Sequence, residues 1–225
     1  MAPTPLLGLL LLQTVAWKEL GLKLASDRKM EPAAEAFAKA CAQTPQDEDA
    51  CYYLARTLYT LGRYEEATEP FAKALRAAPK EMQGRVHRAM ALNFTALHRA
   101  DDAERHFREA VRLGSDNDPR IDYGAFLFRQ GRLEEALPLL EQAVEALPGS
   151  ARAHSELGRV LLHLGKRQGA AARLEKAVQL DPGSSTARLL LGKTYLEMGR
   201  IEEGERQLRL GREGWKQSYD SSTVK

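Results

Sequence analysis

A small residue returns along this chain at nearly constant intervals. It stands at Ala33, Ala67, Ala103, Ala136, Ala170 and Gly204, in steps of 34, 36, 33, 34 and 34 residues. A fixed period of this length constrains the fold more than any other feature, because a unit this short buries its apolar face only by stacking on its neighbours. Four residues after each small residue comes a bulky one: Phe37, Phe71, Phe107, Leu140, Leu174 and Leu208. Three further on is another small one: Ala40, Ala74, Ala110, Ala143, Ala177 and Gly211. Steps of four and three fall on one face of a helix. Pro45, Pro79, Pro148 and Pro182 then end the segment, since proline cannot continue a helix. Ser115 takes that place in the third unit.

The first half of each unit carries its own stripe. It reads Leu20-Gly21, Leu54-Ala55, Met90-Ala91, Tyr123-Gly124, Leu157-Gly158 and Leu191-Gly192. Leu24, Leu58, Phe94, Leu127, Leu161 and Tyr195 follow three residues after the small member. Each unit therefore reads as a helix, a short turn and a second helix. Gly62, Gly131, Gly165 and Gly199 mark four of the turns, and His98 stands where the third would have its glycine. Pro70 and Pro138 lie early in second helices, where a mild kink is expected. An insertion at Lys80–Gln83 marks the joint before the third unit as the softest. Ala, Leu, Glu and Arg dominate while Val and Ile are sparse, which favours helix throughout.

These columns resemble the tetratricopeptide repeat family, whose pattern is W-x2-L-G-x2-Y, then A-x3-F, then P. Trp17-x-x-Leu20-Gly21 and Ala33-x3-Phe37 with Pro45 carry the closest match. The tryptophan place holds Cys51, His87, Arg120, His154 and Arg188 in the later units. The expected fold is all-α: a right-handed α-solenoid of six repeats at 14–47, 48–83, 84–116, 117–150, 151–184 and 185–218. They form one array over 17–218, with a polar tail at 219–225.

No catalytic set is legible. The chain has no H-E-x-x-H, G-x-S-x-G, P-loop or dinucleotide fingerprint. His87, His98, His106, His154 and His163 have no carboxylate or second histidine at ligand spacing, so none is assigned a metal or acid–base role. His87 and His154 fall on the inter-helix stripe and read as packing residues. No cofactor, metal or small-molecule substrate is evident, and the expected class is a non-enzymatic interaction protein. Lys plus Arg total 33 against 31 Asp plus Glu, a balance that argues against bulk attraction to nucleic acid. The two cysteines, Cys41 and Cys51, lie across one turn. They read either as a disulfide in an oxidising compartment or as two small buried apolar residues.

Stacked repeats curve and present a concave surface. The family resemblance implies that this surface holds peptides of partner proteins, lined by the second, fifth, ninth and twelfth places of each repeat. Those places hold Lys18; Asp49, Tyr52, Arg56 and Tyr59; Arg85 and Arg88; Asp118 and Phe128; Arg152 and Arg159; and Lys193. Cations outnumber anions there although the whole chain carries a formal charge of only +2. Arginine forks suit carboxylates, and Tyr52, Tyr59 and Phe128 offer flat apolar contact. The expected ligand is an acidic or carboxylate-bearing peptide. The other reading is an adaptor subunit of a secretion, envelope-assembly or enzyme complex. The chaperone-type carboxylate clamp fails, because Leu22 stands where that clamp needs asparagine.

Before the first charged side chain, Lys18, runs Pro5-Leu-Leu-Gly-Leu-Leu-Leu-Leu-Gln-Thr-Val-Ala16. Its apolar run is of signal-core length and too short to span a bilayer. Residues 1–16 read as a signal peptide cut after Ala16, which would make the protein periplasmic or secreted. The alternative is an uncut apolar leader packed on the first repeat of a cytoplasmic protein.

Overall fold

The computed structural model describes residues 5–43, 47–115 and 117–223, with side chains from Ala16 to Gly214 except Glu48. Twelve helices and no strand occur among them: α1 (Pro5–Ser26), α2 (Met30–Gln43), α3 (Glu48–Thr60), α4 (Tyr64–Ala77), α5 (Lys80–Ala96), α6 (Ala100–Leu113), α7 (Pro119–Arg129), α8 (Leu133–Ala146), α9 (Ala151–His163), α10 (Arg167–Leu180), α11 (Ser185–Glu197) and α12 (Ile201–Thr223). They group into two compact units, Met1–Pro119 and Arg120–Lys225. Each is a stretch of α-solenoid built from three helix pairs.

The small columns do steric work. A methyl group added at Gly21 would come within 2.6 Å of the Phe37 ring, and one at Gly124 or Gly158 within 2.6 Å of Leu140 or Leu174. The bulky column of each second helix thus packs onto the small residue of its own first helix. Phe37, Phe71, Phe107, Leu140 and Leu174 are all buried as a result, and each contributes about 1.5–3 kcal/mol of burial free energy. Leu20, by contrast, is 40% exposed.

All six turns have one construction. A residue with positive φ follows the first helix: Arg28, Gly62, His98, Gly131, Gly165 and Gly199. The next N–H then bonds back to the stripe residue five positions earlier, from Lys29 to Leu24, Arg63 to Leu58, Arg99 to Phe94, Arg132 to Leu127, Lys166 to Leu161 and Arg200 to Tyr195, at 2.9–3.0 Å. Glycine adopts that backbone without strain, whereas Arg28 and His98 carry a side chain there.

The helices depart from the expected repeat bounds at the start of α1, the start of α5 and the end of α12. The insertion at Lys80–Gln83 is absorbed as an added first turn of α5. Helices α4 and α8 run unbroken through Pro70 and Pro138, which fall within their first two turns. Helix α1 passes through the expected cleavage point after Ala16. Residues 1–4, and the side chains of 5–15 on which the leader reading depends, lie outside the described residues, as do the side chains of the polar tail.

The sulfurs of Cys41 and Cys51 are bonded, with their Cα atoms 4.7 Å apart. The bridge ties the end of α2 to the start of α3.

Candidate functional site

In the first unit the first-helix residues converge. Tyr52, Arg56 and Tyr59 on α3 and Arg85 and Arg88 on α5 line one cavity of about 440 Å³, with Leu92 and Asn117 completing its wall. Tyr52 is buried and forms the floor, edge-on to Phe71 at 6.2 Å between ring centroids. Above that floor the Arg85 guanidinium lies 4.5 Å, and that of Arg56 5.7 Å, from the Tyr52 ring centre. Cations are attracted to an aromatic face by its quadrupole. Arg85 also donates to Asp49 at 3.2 Å, yet its Nε is buried without an acceptor among the described residues. Arg56 has no ion pair among the described residues. Lys18 is tied to Asp47 at 2.8 Å.

In the second unit the same register is neutralised from within. Arg152 pairs with Asp122 of the preceding repeat, and Asp122 is buried. Arg159 sits 3.4 Å from Glu156 and 5.5 Å from the centre of the Phe128 ring. Phe128 meets His163 edge-on at 4.7 Å. Lys193 lies 4.0 Å from Glu197. Burial pushes the Glu156 carboxyl above the usual carboxylate range, against the pull of Arg159, Arg152 and Arg129.

One further cluster belongs to the first unit. Nδ1 of His87 on α5 and Nδ1 of His106 on α6 are 2.8 Å apart, so one ring donates and the other accepts. Phe94 stacks on His106 at 5.4 Å. Burial, and then the neighbouring His87, lowers the His106 pKa to about 4, and burial also lowers that of His87. Arg105 adds to the depression of His106 and Arg112 to that of His87, while Glu109 opposes both and Asp102 opposes the first. Among the described residues no group of three metal-ligating side chains forms, and no helix is long and apolar enough to cross a membrane.

Models of the tetratricopeptide repeat match residues 27–113, 88–151, 127–185 and 164–213. The chain belongs to the tetratricopeptide repeat family. Mouse BBSome complex member BBS4 is 27% identical over 124 residues, which cover 55% of this chain and 24% of BBS4. The chain thus spans about a quarter of the length of that relative. Among solved structures, PilW, a type IV pilus biogenesis factor, superposes with a TM-score of 0.76 at 18% identity, covering 86% of this chain and 90% of PilW. YrrB, described as a TPR protein with an unusual peptide-binding site, gives a TM-score of 0.60 at 24% identity, covering 80% of this chain and 93% of YrrB. At these identities the superpositions establish the fold alone. The repeats and their relatives support a protein-interaction scaffold, a class that is typically non-enzymatic.

In this repeat protein, counting charge at the second, fifth, ninth and twelfth places leaves out Asp122 and Glu156 at the sixth place and Glu197 at the thirteenth. The sixth place is one helical turn from the second and three residues from the ninth, so it shares their side of the helix. That spacing was available in the sequence. The 3.2 Å contact of Arg85 with Asp49, between successive repeats, follows only from the stacking.

Proposed function

We propose that this protein is an interaction scaffold whose first unit captures an acidic or carboxylate-bearing peptide in the cavity between α3 and α5. One observation carries the reading: Arg56, Arg85 and Arg88 line a single cavity over the Tyr52 ring, and Arg85 keeps a buried Nε without an acceptor among the described residues. A ligand carboxylate supplies acceptors for that fork, and a charge-assisted contact of this kind contributes about 1.5–3 kcal/mol. The apolar floor takes a neighbouring side chain of the same peptide. The test is titration of the full chain with a fluorescent Glu-rich peptide and with its Gln-substituted counterpart. Selective binding of the Glu peptide, lost in Arg56→Glu/Arg88→Glu, supports the reading; equal binding of both peptides refutes it.

The apolar leader and the Cys41–Cys51 bridge favour an exported protein, because disulfides persist in oxidising compartments. In that setting the scaffold acts as an adaptor in envelope assembly or secretion. N-terminal sequencing of the native protein decides between the two origins: a start at Trp17 supports export, and a start at Met1 or Ala2 refutes cleavage.

A further inference from the structure

The second unit has another concavity, away from the first-helix residues described above. It is a trough of about 520 Å³ flanked by α8 and α10 and floored by α9. Val144 and Leu157, both buried, make its base with Pro148 at one end. Glu141 and Glu145 stand on the α8 side, one helical turn apart, and Arg173 and Lys176 on the α10 side. The two signs face each other across the trough without bridging it. Glu141, Glu145 and Arg173 make no hydrogen bond or ion pair among the described residues, and Lys176 bonds only Gln179 of its own helix at 3.1 Å.

Arg132 with Glu135 and Arg200 with Glu203 close local pairs three residues apart. The facing, unbridged arrangement is confined to this joint within the unit. At the corresponding register the next joint sets Glu175 and Gln179 against Gln207 and Leu210, and there Glu175 already lies 3.9 Å from Arg200.

The floor has an unfilled polar valence. His154, 4% exposed, lines the trough, and its Nε2 donates to the Pro148 carbonyl at 3.0 Å. Its Nδ1 is buried and has no hydrogen-bond partner among the described residues. An unpaired buried polar atom is costly, so a hydrogen-bonding group arriving with a ligand gains more here than on open surface.

We propose that this trough is a docking site for a partner helix with an apolar ridge flanked by cations along one edge and carboxylates along the other. Two helices bounding an apolar floor take a third by the helix-in-groove mode, in which ridge side chains enter the floor. The cationic edge lies along Glu141 and Glu145, and the acidic edge along Arg173 and Lys176. The split charge also sets polarity, since reversing the helix would place like charges together on both rims.

The test uses the full chain and three amidated 15-residue alanine-rich helical peptides with the same leucine ridge. One carries Lys on one flank and Glu on the other, one carries Lys on both, and one carries Glu on both. Calorimetry should show the mixed peptide binding at least about tenfold more tightly than either single-sign peptide. Glu141→Lys/Glu145→Lys makes both rims cationic at exposed positions and should switch the preference to the all-Glu peptide, with the helical circular dichroism unchanged. Arg56→Glu/Arg88→Glu should leave mixed-peptide binding intact, which separates this site from the cavity of the first unit. No binding of the mixed peptide, equal binding of all three, or an unaltered preference in the reversed variant each overturns the proposal.

Discussion

The two units are built from the same helix pair, and each ties one arginine to the preceding repeat, Arg85 to Asp49 and Arg152 to Asp122, but they differ at the ninth place of the register, where Arg56 and Arg159 stand. In the first, Arg56 and Arg85 crowd over the Tyr52 ring, and Arg56 has no ion pair among the described residues. In the second, Arg152 and Arg159 meet Asp122 and Glu156, and Lys193 approaches Glu197. Formal charge at the lining positions is therefore a poor guide to the field a ligand meets. What matters is whether a carboxylate sits one turn away on the same side of the helix or on the preceding repeat. A peptide carboxylate entering the first unit meets Arg56, which has no ion pair among the described residues. In the second unit it competes with acids that are covalently present and already seated.

The largest expected effect tests this contrast directly. Reversing Arg56 and Arg88 to Glu should weaken acidic-peptide capture by about a thousandfold, because two attractive contacts become repulsive. Reversing Arg152 and Arg159 to Glu should weaken it by no more than about tenfold. Comparable losses in a side-by-side anisotropy titration would erase the distinction between the units.

Acid should act on the first unit before the second. His106 and His87 are held neutral by the fold, with pKa values below the ordinary 6.5. Protons therefore bind the unfolded chain more readily. Stability from this pair is complete above about pH 6.5 and declines as pH falls towards 4, by up to about 3 kcal/mol. Hydrogen exchange between pH 7 and 4.5 should show α5 and α6 losing protection ahead of α9–α12, and His106→Phe should flatten the dependence. Uniform loss in both units would place the acid sensitivity elsewhere.

Reduction should also single out the first unit. Closing the short loop between Cys41 and Cys51 is worth about 2–3 kcal/mol on the loop-entropy estimate. Thermal unfolding with and without reductant, and the same scan on Cys41→Ala/Cys51→Ala, should show a lower Tm in both reduced and substituted chains. An unchanged Tm would mean that the joint between α2 and α3 is held by packing alone.

The smallest effect probes the second unit. Burial raises the Glu156 pKa, so the fold favours the protonated acid and its charged form costs stability as pH rises through the carboxylate range. Glu156→Gln should stabilise the chain by about 1 kcal/mol at pH 7 and by nothing below the unfolded carboxylate pKa. A loss of stability at pH 7 would instead show that the contact with Arg159 outweighs burial.

The period, the small and bulky columns and the turn positions were legible in the amino-acid order, because each is a local spacing that one helix face enforces. Stripe residues Leu24, Leu58, Phe94, Leu127, Leu161 and Tyr195 even turn out to accept the turn-closing hydrogen bond in every repeat. His98 stands at the glycine place of its turn and carries positive φ there, as Arg28 does in the first turn. Which arginines retain an uncommitted face was not legible. Arg85 with Asp49, Arg152 with Asp122 and His87 with His106 join residues 36, 30 and 19 positions apart. Those approaches depend on how helices stack, a geometry set by the summed packing of the columns and not by any one spacing. Sequence by itself determined the helix pair and its repetition, since 3.6-residue periodicity is a property of the chain. Tertiary structure alone decided the pairings between repeats, Arg85 with Asp49 and Arg152 with Asp122, since these depend on distances of a few ångströms between residues remote in the chain.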